Sequence, residues 1–271
     1  MQYTQQNIAG GQKLFYAWFE AMHTRIDIAL CVAVERNDLL QLIAEMEAVI
    51  RKYESVGNRF DPQSEISNVN RYAFDSEMTI SDELYNLLYH CQLYNEKTFG
   101  YFDISVYSTT GLRKDKNAFL LNMITKTVHL SHEGVMLDLS GFLKGYVLGE
   151  LMKIADNNKI NDILINVGNS SIYAKGNHPV GVGWKIKIPK TDTEIVLHNQ
   201  CLTTSGNTEL TKWPIMNPLN GEVIKNKTAV SVITKFPDEG EVLSKVSYMA
   251  PQNELVGILK YYDATLVASE K

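Results

Sequence analysis

A chain of 271 residues, with 45% hydrophobic and 21% charged side chains, can bury one large core or two modest ones and has the balance of an ordinary globular protein. A formal net charge of -5 argues against a general binder of nucleic acid or anionic membrane, but leaves room for a local basic site that holds a phosphorylated small molecule. Cys31, Cys91 and Cys201 lie far apart without CxxC spacing, which predicts buried free thiols, and no apolar run reaches the ~18 residues a membrane span needs.

The N-terminal stretch MQYTQQNIAGGQKLF has no basic region followed by an apolar one and no lipid-attachment cysteine. The chain therefore reads as cytoplasmic as it stands, or periplasmic if a leader has been removed. TRIDIALCVAVER (24–36) is a predicted strand. The next residues place Leu39, Ile43, Met46, Ile50 and Tyr53 on one face of a helix capped by Asn37 or Asp38. A second helix follows Ser81, with Leu84, Leu87, Leu88, Cys91 and Tyr94 inward and Gly100 past its end. KTVHL and GVMLDL read as a hairpin turning at 131–134, and a third helix carries Lys144 to about Asp156. Thereafter DILINVG, SIYAKG, WKIKI, EIVL, CLTTSG and TAVSVIT are short predicted strands between Gly, Asn and Pro turns, followed by a last helix at 240–248. Strands and helices do not alternate strictly, which predicts an α+β fold and not a doubly wound parallel sheet.

Four stretches carry polar chemistry. In LDLSGFLKGYVLGELM (137–152) a strand breaks at Ser140-Gly141 just where a helix begins. Unpaired N–H groups there suit an anion, Gly141 permits close approach, and Lys144 adds a mobile positive charge. The plainer reading is packing glycines and a solvated lysine, because a lone Gly-x-x-Lys is not a Walker loop. Ser64, Ser67 and Asn70 lie in a polar loop and would serve equally to cap a turn. Asp103, between aromatic and β-branched neighbours, needs a partner. Thr204-Ser205-Gly206 ends a strand in a hydroxyl-rich turn able to offer donors to phosphate. The six histidines lack HxH or HxxxH spacing, so a zinc centre is not expected, and there is neither a GxSxG elbow nor a GxGxxG fingerprint.

Taken in order, these segments resemble the FAD:protein FMN transferase family, also called ApbE. The likeness rests on Ser64-Glu65-Ile66-Ser67 with Asn70, Gly100-Tyr101-Phe102-Asp103, and Asp138-Leu139-Ser140-Gly141 leading to Lys144-Gly145-Tyr146. It continues through Asn166-Val167-Gly168, Thr204-Ser205-Gly206, and Pro218 with Gly221. It spans roughly Met22 to Ala250, which puts residues 1–21 in an N-terminal extension and 22–271 in a single domain. The resemblance implies an α+β fold of two related halves forming one compact domain around a flavin cleft. It also implies transfer of FMN from FAD to a Thr or Ser hydroxyl of an acceptor flavoprotein, typically of a membrane redox complex, with release of AMP. The residues it implies for cofactor binding are Met22, Tyr101, Asp103, Ser140, Gly141, Lys144, Gly168, Thr204, Ser205 and Gly206. Catalytic roles fall to Glu241 and Lys144, and Mg²⁺ to the Leu143 carbonyl and Glu241.

The sequence also departs from the family pattern. A family Asp followed four residues later by Thr aligns with Glu241 and Lys245, and a protonated lysine does not ligate a metal. The HIIDP segment stands here as Pro214-Ile215-Met216-Asn217-Pro218, and the GGD segment as Gly168-Asn169-Ser170. Three readings stay open on the sequence: a magnesium-dependent transferase (or its hydrolytic variant, splitting FAD with water), a flavin-binding homologue without the chemistry, and an interaction module that no longer binds flavin.

Overall fold

The computed structural model describes residues 1–8, 11–32, 36–109, 117–189, 191–206, 215–224 and 229–270. Residues 33–35, Pro214 and Thr228, each part of a segment singled out above, lie outside them. The chain opens with strands β1 (Gln2–Asn7), β2 (Lys13–Ala21) and β3 (Thr24–Val32), each antiparallel to the next. Helices α1 (Arg36–Gly57) and α2 (Glu65–Tyr72), strand β4 (Met78–Thr79) and helix α3 (Asp82–Lys97) follow, then strands β5 (Phe119–Asn122) and β6 (Thr127–Leu130) and helix α4 (Leu143–Asn157). The second half runs β7 (Ile163–Val167), β8 (Ser171–Lys175), β9 (Trp184–Lys187), β10 (Glu194–Leu197), β11 (Gln200–Gly206) and β12 (Ala229–Thr234). It closes with α5 (Pro237–Met249), α6 (Gln252–Tyr261) and β13 (Thr265–Glu270).

One antiparallel sheet of eight strands, ordered β1-β2-β3-β7-β8-β11-β12-β13, organises the molecule, with smaller sheets β4-β6-β5 and β9-β10 beside it. This is an α+β architecture. Residues 1–21 supply two strands of this sheet, β1 and β2; Phe15 and Ala17 are fully buried, and position 22 falls in the tight β2–β3 turn. The alternation of KLFYAWFEA explains this, because every second side chain of the stretch reaches the core.

The main core lies on one face of the sheet, under the helices. The stripe predicted for α1 is buried as expected, with Ile43, Met46 and Ile50 fully enclosed. Asn37 and Asp38 lie inside that helix and do not cap it. Ser81 caps α3 by accepting the Leu84 N–H, and the Glu65 carboxylate takes both the Ser81 N–H and its hydroxyl, which ties α2 to the start of α3. A smaller core of Cys31, Ile172, Ala174, Trp184, Leu197 and Leu202 seals the β9–β10 hairpin to the sheet. All three cysteines are free and buried.

Two local expectations are corrected. The hairpin formed by KTVHL is with β5, through a turn containing Lys126 at φ 52°, and residues 135–139 form no strand. At Leu137 the partner is a side chain: the Asn70 amide accepts the Leu137 N–H at 2.8 Å and donates to the Leu137 carbonyl at 2.9 Å, as a neighbouring strand would, while the Asp138 N–H donates to the Ile104 carbonyl at 2.7 Å. The helix expected at 240–248 starts three residues earlier, and α6 and β13 extend the fold beyond it. Among the described residues no helix is long and apolar enough to cross a membrane.

Candidate active site

The segment entering α4 is held by a buried ion pair. Arg59 Nε stands 2.8 Å from Asp138 Oδ2, and Asp138 Oδ1 accepts the Ser140 N–H at 2.8 Å. The Phe142 and Leu143 N–H groups both donate to the Leu139 carbonyl. Three of the four amides from Ser140 to Leu143 are therefore engaged within the turn. This corrects the picture of a helix start with free N–H groups, and positive charge at the junction comes from side chains.

The first of these is Lys144, whose ammonium donates to the Ser170 hydroxyl. Ser170 belongs to the β7–β8 turn, where Gly168 (φ 64°) and Asn169 (φ 56°) are left-handed. A Cβ on Gly168 would meet Thr24 Oγ1 at 2.5 Å, so the turn needs glycine for space as well as conformation. The Ser170 carbonyl accepts the Thr204 N–H at 2.8 Å and so aligns the end of β11 with this turn.

Helix α5 supplies the rest. Glu241 is 3% exposed; its Oε1 accepts from Ser171 and its Oε2 from Lys245 at 2.8 Å. Burial pushes the Glu241 carboxyl up, but the Lys245 and Lys144 ammoniums outweigh it and hold it below the usual range. Burial pulls Lys144 down, the nearby Lys245 charge adds to this, and Glu241 opposes it. Ser205 Oγ bonds Ser244 Oγ at 2.7 Å, and Tyr248 donates to the Ser205 carbonyl at 3.0 Å, which fastens the β11 turn to α5. Helices α4 and α5 approach closely because of Gly145, where a Cβ would stand 2.4 Å from the Pro237 carbonyl oxygen.

Ser140, Lys144, Ser170, Ser205, Glu241 and Lys245 are in the lining of a cavity of about 560 Å³, large enough for much of a dinucleotide. Of the sequence-predicted residues, Tyr101, Asp103, Ser140, Gly141, Lys144, Gly168, Thr204, Ser205, Gly206 and Glu241 all face it. Met22 and Leu143 are not in its lining. Met22 sits in the β2–β3 turn with its N–H on Glu54, and the Leu143 side chain is buried against Gly57. Asp103 closes on the Ser105 N–H and hydroxyl, both at 2.7 Å. Ile215, Met216, Pro218 and Met249 add an apolar lining, with the Pro218 turn closed by the Gly221 N–H donating to Asn217 at 2.7 Å. Sequence reasoning passed over Arg59 and named Ser170 only as a departure from the family pattern, with no role. The signal was an arginine and a serine in short polar turns, and only the fold brings them to Asp138 and Lys144.

The residues assigned to magnesium do not fit that ion as they stand. Both Glu241 oxygens are already engaged, one of them by a fixed ammonium whose charge repels a second cation at the same carboxylate. Among the described residues no three His, Cys, Asp or Glu side chains gather into a possible metal centre.

An antiparallel α+β fold that gathers two lysines and a buried carboxylate at one cavity with an apolar side defines a site whose chemistry suits an organic anion. The chain belongs to the ApbE family, whose model matches residues 22–267 and whose activity is FAD:protein FMN transfer. A curated FAD:protein FMN transferase of Chlamydia pneumoniae is 23% identical over 269 residues, covering 90% of this chain and 83% of the relative. Another, of Chlamydia muridarum, is 25% identical over 222 residues, covering 70% and 69%. In fold the chain is similar to the apo flavinyl transferase ApbE of Pseudomonas stutzeri, with a TM-score of 0.80, 15% identity and 97% coverage of each chain. It is also similar to the flavin transferase ApbE of Vibrio cholerae, with a TM-score of 0.79, 16% identity and 94% and 93% coverage.

Proposed function

We propose that the cavity binds FAD with its diphosphate at Lys144, Lys245 and the Ser140-Gly141 turn and with a ring against the apolar lining, and that FMN passes from there to a protein hydroxyl. The observation that carries this reading is the convergence of two ammoniums, Ser170 and Ser205 around one cavity. Phosphoryl transfer asks chiefly for positioning and for charge on the phosphate oxygens. The acceptor oxygen forms a bond to the phosphorus on the FMN side. The bond from that phosphorus to the bridging oxygen breaks, its electron pair leaves with AMP, and the hydroxyl proton is released to solvent.

Lys144 and Lys245 would offset the negative charge that gathers on the leaving phosphate, and Glu241 would hold Lys245 in place. Magnesium has no step in this reading, because Glu241 is already paired. The acceptor is a flavoprotein presenting Thr or Ser, and a subunit of a membrane redox complex is the partner class the family likeness suggests. The test is incubation with FAD and an acceptor protein, followed by in-gel flavin fluorescence and chromatography for AMP. Covalent fluorescence with matching AMP supports the reading. AMP without covalent flavin means that water is the acceptor and the chain hydrolyses FAD. FAD bound with neither product means a flavin-binding protein without the chemistry.

A further inference from the structure

We propose that Lys245 is a built-in cation, doing with an ammonium what a divalent ion would do for the bound diphosphate. The proposal rests on the transferase reading only in naming FAD as the anion.

Three observations support it. First, the ammonium is held by two acceptors on one residue. Nζ donates to Glu241 Oε2 at 2.8 Å and to the Glu241 backbone carbonyl at 3.0 Å, and the carboxylate it faces is itself anchored by Ser171. Second, its third proton is weakly held. The remaining contact, to Ser205 Oγ, is 3.5 Å long, the outer limit of a hydrogen bond, so a phosphate oxygen entering the cavity takes that proton at little cost. Third, the turn at the cavity wall is shaped around this side chain. A Cβ at Gly141 would stand 2.9 Å from Lys245 Cε and 3.8 Å from Nζ. Gly141 thus makes room for the lysine stem, and the ammonium lies beside the Ser140-Gly141 turn in the cavity lining.

Lys144, Lys245 and Glu241 together carry a single net positive charge without any metal; Asp138 in the same lining is paired with Arg59, and Asp103 accepts from the Ser105 N–H and hydroxyl. A compact, strongly hydrated point charge on a flexible stem suits this role, and here pairing with Glu241 restrains the stem.

The experiment measures FAD affinity by quenching of flavin fluorescence, in EDTA and again in millimolar Mg²⁺, for the unmodified chain and for Lys245→Thr and Lys245→Arg. Inorganic pyrophosphate, followed by calorimetry, is the second probe. The unmodified chain is expected to bind FAD equally in EDTA and in Mg²⁺. Lys245→Thr is expected to lose roughly 10- to 100-fold in EDTA, the worth of one charge-assisted hydrogen bond, and to recover part of it with Mg²⁺. Lys245→Arg should retain most of the binding. Should Lys245→Thr unfold because Glu241 is left unpaired, the Glu241→Gln/Lys245→Thr pair removes both charges together and is expected to show the same loss.

A strong Mg²⁺ requirement in the unmodified chain, or full EDTA-resistant affinity in Lys245→Thr, overturns the proposal. If FAD fails to bind under every condition while pyrophosphate binds and weakens on Lys245→Thr, the cation stands and the flavin reading falls. If neither ligand binds the unmodified chain, both fall.

Discussion

Gly145→Ala tests the packing on which the site depends. A Cβ at Gly145 would stand 2.4 Å from the Pro237 carbonyl oxygen and 2.6 Å from Glu241 Cγ, whereas one turn later a Cβ at Gly149 would meet only Pro237 Cγ at 3.9 Å. In a helix interior Gly→Ala by itself stabilises by roughly 1 kcal/mol, and at Gly149 nothing opposes that gain. At Gly145 the obstacle is largely backbone. Reaching even 3.0 Å requires α4 and α5 to part by 3.0 − 2.4 = 0.6 Å. Overpacking of this kind costs typically 1–3 kcal/mol, and more where backbone must move. Gly145→Ala is therefore expected to destabilise by about 1–2 kcal/mol, and Gly149→Ala to stabilise by about 0.5–1 kcal/mol. For a chain of this size that separates their melting temperatures by roughly 4–10 °C, read by calorimetry or circular dichroism. Because Glu241 is the second obstacle, Gly145→Ala should also weaken FAD binding. If Gly145→Ala melts at or above Gly149→Ala, the close approach of α4 and α5 does not exist as described.

Other perturbations follow from the same structure. Burial, reinforced by the adjacent Asp238 charge, raises the Glu239 carboxyl from 4.5 to about 7. Between those values the folded chain holds a proton that the unfolded chain has released, so this group's contribution falls as pH rises through the window. Glu239→Gln should flatten that decline and, after allowance for partial exposure, gain about 1 kcal/mol at pH 8 in urea unfolding; an unchanged pH slope refutes it. Asn70→Ala strands the N–H and carbonyl of the fully buried Leu137 and is expected to cost about 2–3 kcal/mol, with a loss below ~0.5 kcal/mol contradicting the strand-mimic role. Burial lifts the Cys31 thiol to about 11 and raises Cys91 and Cys201 well above their ordinary value. A disulfide reagent at pH 8 should accordingly label no thiol in the folded chain and all three in denaturant, and fast labelling of the native protein would show that the core opens.

Elements with a strong local period were legible in the sequence. The stripe from Leu39 to Tyr53 and the residues from Leu84 to Cys91 are buried as their spacing requires, since a helix repeat leaves an amphipathic sequence one way to face the core. Alternation in KLFYAWFEA was equally local, and it was overlooked because the family likeness begins at position 22. Residues 135–139 misled for a different reason: an apolar run resembles a strand whatever satisfies its backbone, and here a side-chain amide from 67 positions away takes both backbone groups of Leu137.

By itself the sequence determined the α+β class, the glycine-punctuated turns and the set of polar residues that meet at the cavity. These depend on local period and on which residue types tolerate a bend. Only the tertiary structure decided that Lys245 is clamped onto Glu241, that Arg59 pairs with Asp138, and that three of the four amides from Ser140 to Leu143 are engaged within their own turn. Each is a pairing across distant segments or a choice among competing partners. Charge and hydrogen-bond capacity are written in the residues, but the partner that uses them is selected by which surfaces the sheet and helices bring within 3 Å of one another.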